Sequence, residues 1–218
     1  MSLPSLQATS GNLIRDGLYT QAQIHADPET QALVPTLEGA QATLEKAVEA
    51  RRAADKAAIM AAAAADYRLG SLQRAIVVFG AKVYGHFANR TDEQYLRILP
   101  HAASEIAMAN PSDRATTFAM LRKESLDPAT PKELAPAVKV LVAAIDEWTS
   151  ATAASDKADT ALKAAGKTEA SVADAWQTAV RKLRGQLIAL FPRDLRRQRS
   201  YFPAAKAPRK PKKASGTV

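Results

Sequence analysis

Arg193, Arg196, Arg197 and Arg199, followed by Lys206, Arg209, Lys210, Lys212 and Lys213, place nine cations within twenty-one residues. The chemistry open to such a run is the neutralisation of a polyanion. The arginine guanidinium presents a planar fork of donors that matches a phosphate. Each phosphate neutralised on duplex DNA or RNA also releases condensed counterions, which favours binding without reference to base sequence. The run belongs to a wider asymmetry. From Arg181 to Val218 there are twelve Lys and Arg against the single Asp194, a net of +11. Residues 1–180 hold 18 Lys and Arg against 21 Asp and Glu, a net of −3. A mildly acidic body, which repels phosphate, therefore carries a strongly basic end.

The basic end has two parts. Between Arg181 and Phe202 the cations alternate with Phe191, Tyr201 and Phe202. Aromatics in that setting either stack on unpaired bases or tuck back onto a core. Beyond this stretch Pro203, Pro208 and Pro211 exclude a regular helix and predict an extended, disordered tail. The closing "AAKAPRKPKKASGTV" resembles the lysine-, alanine- and proline-rich tails of linker histones and histone-like bacterial proteins. The resemblance is one of composition, spans some fifteen residues and assigns no family to the rest of the chain. It implies a tail that meets the phosphate backbone. A tail that serves only solubility is the alternative, and an anionic membrane surface a third reading, which lacks an apolar anchor or a lipidation cysteine.

Other chemistries find no constellation. Cysteine is absent, which excludes disulfides and thiolate sites. A di-iron carboxylate bundle requires Glu-x-x-His on two helices, and none of His25, His86 and His101 stands three residues after a Glu. His101 and Glu105 are four apart but follow Pro100 and have no second pair. Neither a G-x-S-x-G elbow nor a glycine-rich phosphate loop occurs, and Gly80 and Gly85 lie in a helical pattern. The sequence thus reads as non-enzymatic, with no cofactor and no metal. His86 falls on an apolar stripe and is expected at a core edge, and Trp148 and Trp176 are expected in a core.

The elements that would carry the basic end are helices. Alanine supplies much of the 47% hydrophobic content, aromatics only 6%, and alanine loses no side-chain entropy in a helix. Leu37, Leu44, Val48, Ala58, Ala62, Ala65, Leu69, Leu72, Ile76, Phe79 and Val83 follow three- and four-residue steps, predicting one long helix over 36–88 with Gly70 as its bend. Short helices are expected after Thr91 and Ser112 as caps, and another near Ser10 or Asn12. Leu134, Val138, Leu141, Ile145 and Trp148 open a second long helix over 131–165. Gly166 is expected to end it. Val172, Trp176, Leu183 and Leu187 define a third over 168–191, antiparallel to its predecessor.

The expected fold is all-α, an elongated antiparallel bundle of two long Ala-rich helices with a disordered basic tail. Its divisions are an irregular or short-helix segment over 1–35, a bundle over 36–192 and the tail over 193–218. Arg51, Arg52 and Asp55 on one helix, and Thr152, Ser155, Asp156 and Asp159 on another, interrupt the apolar stripes. A surface cluster pairing Arg51 or Arg52 with Asp156 or Asp159 is expected there, with a polar pocket as the alternative. The coiled-coil period predicts a homo-oligomer. With no secretory leader and no apolar run near ~20 residues, a cytoplasmic protein that does not insert in a membrane is expected. Function then reduces to two readings, a sequence-independent polyanion tether and a self-associating structural protein with an incidental tail.

Overall fold

A computed structural model describes residues 9–203. Seven α-helices and two 3₁₀ turns make up the regular structure, with no strand among the described residues. The helices are α1 (Ser10–Ala26), α2 (Val34–Phe87), α3 (Glu93–Ile98), α4 (Ala103–Ala107), α5 (Arg114–Ser125), α6 (Ala135–Leu190) and α7 (Leu195–Ser200). The expected all-α fold with two long alanine-rich helices is present, and α2 and α6 run for 54 and 56 residues. No helix among the described residues is long and apolar enough to cross a membrane.

The second long helix corrects the sequence reading. Gly166 lies inside α6 and does not end it, so the two expected helices over 131–165 and 168–191 are one. Among the described residues no glycine adopts the left-handed conformation that closes a helix. Glycine costs ~1 kcal/mol against alanine in a helix interior. Val172 and Trp176 on one side and Ile145 and Trp148 on the other bury apolar surface only while the helix continues. Each large side chain contributes about 1.5–3 kcal/mol on burial, which decides the balance. The start of this helix also differs, since Pro131 precedes a 3₁₀ turn, Lys132–Leu134, and α6 begins at Ala135.

The described chain falls into two compact units, one formed by residues up to Ala53 and from Lys163, the other by Ala54–Leu162. In the first unit α1 packs with the start of α2, the end of α6 and α7. Its core joins Leu13, Ile24, Leu37, Leu44, Val48, Trp176, Val180, Leu183 and Leu187. Gln41 meets Trp176, and ten residues further along α2 Arg51 meets Glu169, so the two long helices run antiparallel here. The buried Gln41 is fully used. It accepts from Trp176 Nε1 at 2.8 Å and donates to the Ile14 carbonyl at 3.0 Å and to Glu45 at 2.8 Å. Gly17 makes this possible, because a Cβ there would overlap Gln41 Oε1.

The second unit packs the end of α2 with α3, α4, α5 and the start of α6. Leu72, Ile76, Phe79 and Val83 from α2 meet Val138, Leu141, Ile145 and Trp148 from α6, with Phe118 set edge-on to Trp148 at 5.0 Å. Arg68 of α2 reaches Glu147 of α6 at 2.7 Å. Gly80 lets α4 approach, since a Cβ would overlap that of Ala103. Ala88, with φ 52°, closes α2 in the left-handed conformation.

Three local expectations are corrected. Asp92, one residue beyond Thr91, caps α3 by accepting from the backbone amides of Gln94 and Tyr95. Asp113, not Ser112, occupies the cap position of α5. Thr9 stands at the cap of α1 in place of Ser10 or Asn12, without a side-chain bond.

Candidate polyanion interface

The basic end is positioned by the junction between α6 and α7. Pro192 cannot continue α6, and the chain turns over Phe191–Arg193 into α7. Asp194 caps the new helix, its carboxylate accepting from the Arg197 amide at 2.8 Å. The buried Gln198 ties the turn from inside by donating to the Phe191 carbonyl at 2.6 Å.

Arg197 is committed to the first unit. Its Nη2 and Nε donate to Asp27 Oδ2 at 2.7 and 3.3 Å, and its Nη1 lies 3.0 Å from Glu29 Oε2. The guanidinium also lies 4.0 Å over the Phe191 ring. The Tyr201 hydroxyl donates to the same oxygen of Asp27. Tyr201 is 3% exposed and stacks on Phe191 with centroids 6.2 Å apart. Bonding from Tyr201 and then Arg197 holds the Asp27 carboxyl below its usual range. Burial, with the bond to Asp27, pushes the Tyr201 phenol up. Bonding to Asp27 likewise raises Arg197. These groups form a latch between the turn after α1 and the last helix. Phe191 and Tyr201 are thus packed, and Phe202 is half-buried against the same core.

With Arg197 turned inward, Arg193, Arg196 and Arg199 remain exposed, and among the described residues none of the three has an ion-pair partner. Arg181 and Lys182 are exposed near the end of α6. Lys206, Arg209, Lys210, Lys212 and Lys213 lie outside the described residues.

The other candidates are placed as follows. Arg51 pairs with Glu169 at 3.1 Å, which replaces the expected partners Asp156 and Asp159; the register of α2 on α6 brings Glu169 opposite it. His86 is exposed, edge-on to Phe87, and does not sit at the core edge expected of it. Its place on the stripe falls in the last turn of α2, where the core narrows to Phe87. Trp148 and Trp176 are buried. His101 and Glu105 are both exposed. An open groove of about 600 Å³ beside the Asp127–Pro131 turn mixes Lys132 and Lys139 with Asp127 and Asp146, and Asp146 is already bonded by Arg122 at 2.9 Å.

Sequence reasoning found the arginines but missed Asp27, Glu29 and the inward role of Arg197. The available signal was the Asp27-Pro28-Glu29-Thr30 turn, whose pattern recurs as Asp127-Pro128-Ala129-Thr130. The class defined by the fold is an all-α protein of two helical units carrying a latched basic helix. No known protein family, curated protein or solved structure matches the chain.

Proposed function

We propose that the chain is a non-enzymatic helical protein whose basic C-terminal end tethers it to nucleic acid through the phosphate backbone, independently of sequence. The observation that carries this reading is the division of labour among four neighbouring arginines. Arg197 fixes α7 to the body, and Arg196 and Arg199 on that helix, with Arg193 in the turn before it, are left exposed without ion-pair partners among the described residues. Cations at the C-terminal end of a helix complement its dipole, which applies to Arg193 just past α6 and to Arg199 in the last turn of α7, but Arg196 stands in the first turn of α7 and gains nothing from that effect. Added to the five cations beyond Pro203, the arginines offer donors for several phosphates near one end of the chain, while residues 1–180, with a net charge of −3, add no net attraction for phosphate. Binding of duplex DNA by full-length protein, measured over a range of salt, tests this. Affinity should fall steeply with salt, and deletion of residues 203–218 should weaken binding without abolishing it, because Arg193, Arg196 and Arg199 remain. Affinity insensitive to salt, or a strong preference for one sequence, would contradict it.

Self-association is the second reading, and one observation favours it. Met60, Ala63, Ala64 and Tyr67 are exposed on α2 at the spacing of a single helix face, with Met60 and Tyr67 exposed by 64% and 66%. Pairing of that face between copies would multiply weak tails into avid binding.

A further inference from the structure

We infer that the chain is a tandem duplication of one helical repeat, and that each copy completes the other: the far half of each long helix is the partner that fits the near half of its counterpart.

The equivalence begins at the turns. Asp27-Pro28-Glu29-Thr30 and Asp127-Pro128-Ala129-Thr130 are built alike. The Asp side chain accepts from the amide two residues on, at 3.1 Å from Glu29 and 2.7 Å from Ala129. Each Thr hydroxyl reaches back six residues, to the Ile24 carbonyl at 3.0 Å and to the Glu124 carbonyl at 3.1 Å. A short 3₁₀ turn follows in both, then a long helix with proline at its second position, Pro35 and Pro136. Leu37, Leu44 and Asp55-Lys56-Ala57 recur 101 residues later as Val138, Ile145 and Asp156-Lys157-Ala158. The far halves repeat 104 residues apart: Leu72, Ile76, Phe79 and Val83 return as Trp176, Val180, Leu183 and Leu187, and all eight are buried. Phe87 and Phe191 close the two stripes, and each packs on a tyrosine contributed by the segment that follows, Tyr95 or Tyr201. Both long helices lead into a six-residue helix with aspartate at its cap, Asp92 or Asp194.

The exchange follows from how the units are composed. The first unit takes the near part of α2 and the far part of α6, and the second takes the near part of α6 and the far part of α2. An uninterrupted helix cannot fold back to cover its own apolar stripe. Leu37, Leu44 and Val48 therefore need a second helix, and the copy supplies one of matching spacing. The latches obey the same rule. Arg197, in the helix after α6, bonds Asp27 in the turn before α2, and Arg97, in the helix after α2, bonds Asp127 in the turn before α6 at 3.2 Å. The two latches differ in what surrounds the arginine–aspartate pair: the Tyr201 hydroxyl also donates to Asp27, and among the described residues no hydroxyl donates to Asp127. Glu29 gives Arg197 a second carboxylate, whereas its counterpart is Ala129, and Arg97 Nε and Nη2 are buried without a partner.

Native-state hydrogen exchange on the full chain tests this. D27N should lower amide protection several-fold both in residues 34–53 of α2 and in residues 163–190 of α6, leaving 72–87 and 138–148 unchanged. D127N should produce the mirror image. A129E, which gives Arg97 the carboxylate that Arg197 already has, should raise protection in the second unit by about two- to fivefold, the range of an exposed ion pair. The inference is overturned if D27N lowers protection along all of α2 and spares α6. It is equally overturned if A129E leaves the second unit unchanged or less protected, since the two latches would then not be equivalent.

Discussion

Arg197 donates two hydrogen bonds to Asp27, at 2.7 and 3.3 Å, across 170 residues of sequence. This contact turns one arginine of a basic cluster into a positioning residue and leaves its neighbours exposed. Its pH dependence follows from the groups around it. Asp27 is held below its ordinary 3.8, so its contribution is complete above that value and is lost as pH falls through the folded-state pKa. Tyr201 is pushed above its ordinary 10.0, so its contribution is complete below that value and is lost as pH rises through the folded-state pKa. Thermal melts should therefore show the difference between wild type and a D27N/Y201F variant largest between about pH 5 and 9 and shrinking towards either extreme. A constant difference from pH 3 to 11 would contradict the latch.

Gly17 and Gly166 should respond oppositely to alanine. A Cβ at Gly17 meets Gln41 and Trp176, so G17A should destabilise by about 1–3 kcal/mol, the cost of overpacking. Nothing lies within 4 Å of a Cβ at Gly166, so G166A should stabilise by up to ~1 kcal/mol through helix propensity. Denaturant unfolding of both variants checks the pair, and a destabilised G166A would mean that α6 bends there.

Ala88 holds φ 52° at the end of α2, a conformation that costs an L-residue roughly 1–2 kcal/mol. A88G should raise the unfolding midpoint by relieving that cost, less the entropy that glycine adds to the unfolded chain. A fall in stability would show that the alanine methyl contributes more than the strain removes.

The sequence made some of this legible and hid the rest for physical reasons. Leu37, Leu44, Leu72, Ile76, Phe79 and Val83 were readable as one face because large apolar residues at helical spacing contrast with polar neighbours, and all six are buried. Between Ala58 and Ala65 that contrast fails. Alanine suits either environment, and there Ala61 is half-buried while Ala62, expected on the inner stripe, is exposed. Gly166 misled because local propensity was weighed without the burial on both sides of it. Among the arginines, Arg197 has no local mark that separates it from Arg196 or Arg199. What selects it is its place on α7 opposite Asp27, a relation between distant segments that no spacing within the basic run encodes.

The proposal that Arg193, Arg196 and Arg199 meet phosphate while Arg197 holds their segment to the body stands or falls on one comparison. It is the salt dependence of duplex DNA binding by full-length R193Q/R196Q/R199Q beside wild type, with melting temperature recorded for both. Stability should be unchanged and binding weaker. The log–log salt slope should shrink by ~0.9 for each phosphate no longer neutralised, up to about 3 for the triple variant. Wild-type affinity and slope retained by the triple variant would contradict it.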